Sequence, residues 1–121
     1  MRAHRHTVAI VDDDPKVLEA LQDLLESMGF AVCTFTLAKD LLADKCLATI
    51  HCLITDIAMP DMNGMELGRQ TALKRPELPV FYISGDLEMV AIAESNPDNR
   101  ERVFQKPFDS KALVAAVQAA I

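Results

Sequence analysis

Three consecutive aspartates, Asp12, Asp13 and Asp14, follow the apolar run 8–11, and a fourth, Asp56, follows the apolar run 52–55. Ser84 follows a third such run, 80–83, and Lys106 follows the short strand-like segment 103–105, Val-Phe-Gln. If neighbouring strands bring Asp12, Asp13 and Asp56 together, like charges lie within a few ångströms, which is unfavourable unless a cation neutralises them. Donors that are all oxygen call for a hard ion. Mg²⁺ suits such a site because it takes few carboxylates, keeps several waters and accepts phosphate oxygens, and Mn²⁺ could substitute. A carboxylate such as Asp56 can also attack phosphorus and form an acyl phosphate, provided the charge on the phosphoryl oxygens is stabilised. Ser84 could donate a hydroxyl hydrogen bond to one of those oxygens. Lys106 could reach another, or pair with Asp56 when no phosphoryl group is present.

Each residue alone has an ordinary explanation. Asp14 reads as a helix cap, Ser84 as a turn residue and Lys106, before Pro107, as a solvated loop residue. What separates them from coincidence is position: polar residues follow four different strand-like runs that are mostly apolar. In a parallel α/β sheet the ligand site lies beyond the carboxyl ends of the strands, which is where all of them would meet.

The elements that would hold them follow from the hydrophobic pattern. Short β-type runs at 8–11, 30–35, 52–55, 80–83 and 103–105 alternate with segments of helical period, the pattern of an α/β fold with a mostly parallel sheet. Val17, Leu21, Leu24, Leu25 and Met28 share a helical stripe, with Asp14 to cap, Pro15 in the first turn and Gly29 at the end. Further helices are expected over 37–47, over 65–75 up to Pro76, and over 109–121. Between 87 and 102 a short helix and a polar loop are expected, because Asn96, Pro97, Asp98 and Asn99 break the pattern. The last helix reaches Ile121 without a stop signal, the pattern of a chain that continues into a further segment.

At 121 residues the chain has the size of one domain, 1–121, with a flexible tail expected over 1–6. Its formal charge of -6 gives a field that repels phosphate backbones, so direct contact with nucleic acid is not expected. No apolar run approaches the roughly 20 residues that span a bilayer, and the basic, polar start is unlike a signal peptide, which makes the cytoplasm the default location. Cys33, Cys46 and Cys52 are odd in number and lack CxxC spacing, so buried free thiols are expected rather than a disulfide or zinc site. His4 and His6 are expected in the tail and His51 at a strand edge, without a metal role.

Val11-Asp12-Asp13, the segment from Thr55-Asp56 through Ala58-Met59-Pro60 to Asn63-Gly64, Ile83-Ser84-Gly85, and Gln105-Lys106-Pro107-Phe108 together resemble the receiver domain of bacterial two-component response regulators, most nearly the FixJ-like ones. The resemblance covers essentially the whole chain. It implies a doubly wound, flavodoxin-like fold of five parallel strands flanked by five helices. It implies phosphorylation of Asp56 by a sensor histidine kinase or phosphotransfer protein, with Asp13, Asp56 and the Ala58 carbonyl on Mg²⁺ and Asp12 acting on the ion through water. Ser84 and Lys106 would contact the phosphoryl group, and the Lys106–Pro107 peptide would be cis. The family also leads one to expect a homodimer through the fourth helix, fifth strand and fifth helix, and an output domain, if there is one, after Ile121.

The sequence departs from the family where a Tyr or Phe usually precedes the lysine by three residues: here that position is Val103. Phe104 would point to the opposite face of the strand. Asn99-Arg100 likewise replaces the family's usual Gly-Ala. These departures suggest an alternative, a receiver-like module that binds partners regardless of phosphorylation. A haloacid-dehalogenase-like phosphatase would need a second Asp where Ala58 stands, and a nucleotide-binding domain would need a Gly-rich loop after the first strand. Neither is present.

Overall fold

The computed structural model describes residues 5–97 and 102–121. Five strands, β1 (Thr7–Val11), β2 (Ala31–Phe35), β3 (Cys52–Asp56), β4 (Val80–Ser84) and β5 (Val103–Gln105), alternate with helices α1 (Pro15–Ser27), α2 (Ala38–Ala43), α3 (Gly64–Lys74), α4 (Leu87–Glu94) and α5 (Ser110–Ala120). All pairings are parallel, in the order β2-β1-β3-β4-β5. This is the doubly wound, flavodoxin-like arrangement of five strands and five helices that the sequence led us to expect.

Apolar side chains on both faces explain the continuous runs in the central strands. One face of the sheet carries Val8, Ile10, Ile54 and Phe81 against α1 and α5. The other carries Ala9, Val11 and Leu53 against Leu41 and Leu67 of α2 and α3. On α1 the buried positions are Leu18, Leu21 and Leu25, the Asp14 carboxylate accepts from the Lys16 N–H, and Gly29 takes the positive φ of 94° that ends the helix.

Several boundaries differ from those the pattern suggests. The helix expected over 37–47 is two pieces, because Asp44 leaves the helical conformation and its carboxylate accepts from the Cys46 N–H at 2.8 Å, capping a separate 3₁₀ turn over Lys45–Ala48. Leu37, at the start of α2, caps nothing with its side chain. The missing cap comes from Asp61, which accepts from the N–H groups of Ala38 at 3.3 Å and Lys39 at 3.0 Å. That contact ties the loop after β3 to the neighbouring helix.

All three cysteines are free, with Cys52 buried and its thiol pushed up to about 12 by burial. His51 accepts from the Thr7 N–H at 2.9 Å through Nδ1, and the His6 ring meets it edge-on with centroids 4.9 Å apart. His4, Asp98, Asn99 and Arg100 lie outside the described residues. Among the described residues, no helix is long and apolar enough to cross a membrane.

Candidate functional site

The parallel sheet delivers the polar residues to one edge, with one correction to their placement. Asp56 and Ser84 are the last residues of β3 and β4 rather than the first beyond them, since the ladder still pairs Asp56 with Ile83 and Ser84 with Gln105. Asp12 continues the ladder past β1 by donating its N–H to the Phe35 carbonyl, and Lys106 continues it past β5 by donating to Ser84. Backbone pairing therefore reaches into the site itself.

One carboxylate oxygen from each of Asp12, Asp13 and Asp56 lies within 4.8 Å of the others. Asp12 is fully buried, Asp56 is 5% exposed and Asp13 faces solvent. Burial is the largest influence on Asp56 and raises its pKa to about 6, with the charge of Asp12 adding to the effect. Lys106 opposes that rise, Asp13 adds to it, and an N–H from Ala58 opposes it. A carboxylate crowd this enclosed, built from oxygen donors alone, fits a hard divalent cation.

Lys106 is the resident positive charge. Its Nζ donates to Asp12 Oδ2 at 3.0 Å and stands 3.6 Å from Asp56 Oδ2. Burial works against its ammonium, yet the hydrogen bond and charge of Asp12, with Asp56 behind them, outweigh burial and raise its pKa. Pairing with Asp56 is thus secondary to pairing with Asp12. The Lys106–Pro107 peptide is cis.

Ser84 is buried, and its Oγ accepts from the Asp86 N–H at 3.0 Å. Asp86 in turn caps α4, accepting from Glu88 and Met89. Ala58 stands exposed two residues beyond Asp56. Val103 pairs with Tyr82 of β4 and packs with it, while Phe104 joins the α1 and α5 side, as strand alternation requires.

Two supports were not anticipated. A Cβ on Gly64 would run into the Asp56 carbonyl oxygen and come within 2.9 Å of Ile57 Cα, so α3 can start this close to Asp56 only with glycine there. Asp61 braces the loop between them. Gly64 stood in the motif without a stated contact, and no local pattern links Asp61 to residues 22 and 23 positions earlier.

Comparisons with known proteins agree with this geometry. The chain is 34% identical over 114 residues to the response regulator protein TodT of Pseudomonas putida, covering 94% of this chain and 50% of TodT. It is 32% identical over 114 residues to the transcriptional regulatory protein FixJ of Azorhizobium caulinodans, covering 94% of this chain and 54% of FixJ. The chain thus spans about half the length of these curated relatives. Among solved structures, the BeF3-activated DrrB receiver domain superposes with a TM-score of 0.82 at 29% identity, covering 97% of each chain. The profile of the response regulator receiver domain matches residues 8–118. With that match running from the first strand into the last helix, and the acidic cluster at the strand ends where such a domain carries it, the chain belongs to the response regulator receiver domain family.

Proposed function

We propose that Asp56 accepts a phosphoryl group from the phosphohistidine of a sensor histidine kinase or phosphotransfer protein, and that the modified domain changes its interactions. The observation that carries this is the enclosure of the Asp56 carboxyl by Asp12 and Asp13, with the Lys106 ammonium 3.6 Å away. One carboxylate oxygen of Asp56 bonds to phosphorus as the bond from phosphorus to the donor imidazole nitrogen breaks, and that nitrogen keeps the electron pair. The domain is a phosphoacceptor module and no external substrate is turned over.

Asp12, Asp13, Asp56 and the carbonyl of Ala58 would hold Mg²⁺, or Mn²⁺ in its place. When bound, the ion neutralises charge on the carboxylates and on the phosphoryl oxygens. Lys106 keeps Asp12 compensated before transfer and swings its ammonium toward a phosphoryl oxygen afterwards. The Ser84 hydroxyl donates to another phosphoryl oxygen while still accepting from Asp86, since it has one proton and two lone pairs.

The receiver occupies 1–121 as one unit in this proposal, working in the cytoplasm, with dimerisation through α4, β5 and α5 and an output segment elsewhere in a longer protein. Val103 favours one second reading, a module that binds its partner irrespective of phosphorylation. Incubation with acetyl phosphate and Mg²⁺ should add one phosphate by mass, and Asp56→Asn should abolish the adduct. An unmodified wild-type protein under those conditions would sink the phosphoacceptor reading. Equal partner affinity before and after modification would favour the constitutive module.

A further inference from the structure

Tyr82 occupies a position from which the state of the site can be passed on. It lies on β4 two residues before Ser84, so the two side chains belong to the same face of the strand. Its phenol rests on α3: a Cβ added at Gly68 would collide with the Tyr82 hydroxyl and come within 3.0 Å of its ring. Gly64, one turn earlier on the same helix, makes the corresponding close approach to the backbone of Asp56. One helix face with two glycines therefore touches both the phosphoacceptor residue and the phenol.

The ring also forms part of a groove of about 400 Å³ between α3 and α4, lined further by Met65, Arg69, Ile92 and Ala93. Two connections run from Ser84 to this groove. One is β4 itself, through Ile83 to Tyr82. The other passes from Ser84 Oγ to the Asp86 N–H at 3.0 Å, and from the Asp86 carboxylate to the first turn of α4, whose Ile92 and Ala93 form the opposite wall. A Ser84 hydroxyl drawn toward a phosphoryl oxygen keeps its bond from Asp86, so displacement of Oγ pulls the start of α4 with it.

Across the ladder, Val103 sits directly opposite Tyr82 and packs in the same small cluster with Ile57, Met65, Met89 and Ala93. The phenol thus meets aliphatic side chains on the β5 side and bare backbone on the α3 side. Tyr82 is only 6% exposed. A rigid ring held this closely by packing has discrete resting places rather than a continuum.

The geometry points to Tyr82 as the side chain that converts phosphorylation of Asp56 into a change at the α3–α4 groove: Ser84 moves toward the phosphoryl group, α4 follows through Asp86, and the phenol leaves its seat on Gly68. This regulation rests on the phosphoacceptor reading above and gives that site an outlet through β4.

The chain contains one tyrosine and no tryptophan, so Tyr82 can be observed alone. The protein labelled with 3-fluorotyrosine should give a single ¹⁹F resonance that moves on treatment with acetyl phosphate and Mg²⁺. Acrylamide quenching of the unlabelled protein should rise by about twofold or more as the ring gains exposure, a readout of accessibility rather than of the phosphoryl charge. Gly68→Ala should displace the resonance before any phosphate is added. A complete phosphate adduct by mass with unchanged resonance and quenching overturns this inference and leaves the phosphoacceptor reading standing. Absence of any adduct overturns both.

Discussion

Lys106 donates to Asp12 at 3.0 Å, closer than its 3.6 Å approach to Asp56. The lysine therefore neutralises the fully buried carboxylate and leaves Asp56 only partly compensated, consistent with an Asp56 pKa raised mainly by burial and by Asp12. Replacing it with Lys106→Met strands Asp12 without its partner. Stability at pH 7 should fall by about 2 kcal/mol, less than for a fully enclosed pair because Lys106 is partly exposed. Mg²⁺ should recover part of that loss. Urea unfolding with and without the ion measures both effects.

Asp56 has its folded pKa raised from 3.8 to about 6. The folded state then binds more protons than the unfolded chain between those values, so stability falls as pH rises through this window and stays lower above it. Asp56→Asn removes the penalty. It should stabilise the cation-free protein at pH 7 by on the order of 2 kcal/mol and change little below pH 4. Thermal unfolding of both proteins across this range checks the sign.

If Asp56 is the phosphoacceptor, its ionised carboxylate is the nucleophile, so at low cation concentration the rate of phosphorylation from acetyl phosphate should climb as pH passes through about 6. A cation at Asp13 and Asp56 favours the charged form, so the midpoint should shift to lower pH as Mg²⁺ is raised. Asp13 is exposed, so Asp13→Asn should leave the fold intact while weakening Mg²⁺ binding by about tenfold or more. Calorimetric titration reads the affinity directly.

At Gly64 even one methyl group meets the Asp56 backbone. Gly64→Ala must push α3 away from β3, which should destabilise the domain by about 1–3 kcal/mol. The adduct at Asp56 should form more slowly than in the parent protein at equal Mg²⁺, measured by intact mass over time.

Asp61 caps α2 from the active-site loop and its carboxyl is held below its usual pKa, with the Lys39 and Ala38 N–H groups outweighing the opposing effect of burial. Asp61→Ala should cost about 1 kcal/mol, and Asp61→Asn, which keeps an accepting oxygen, should restore most of it. Chemical denaturation of the three proteins decides this.

The parts of the site visible in the sequence were those fixed by periodicity. Asp12, Asp56, Ser84 and Lys106 stand at the ends of mostly apolar strand-like runs, and runs of that kind in alternation with helices have few ways to assemble, so the common edge followed. The break at Asp44 was hidden because a carboxylate competing for the Cys46 N–H leaves the apolar spacing of 37–47 untouched. Asp61 was hidden for a different reason, its partners being distant in sequence. The choice of Lys106 between Asp12 and Asp56 is a matter of a few tenths of an ångström, which no pattern of residue types encodes.

Only 5% of Asp56 is open to solvent. An acyl phosphate on that carboxyl ends when water attacks phosphorus, and the side chains crowding Asp56 limit the directions from which water can approach. On the phosphoacceptor reading, the same enclosure that makes the carboxyl hard to ionise would also act as a timer. How long such a domain remembers a signal would then depend on the walls around Asp56 as well as on the reactivity of the bond it forms.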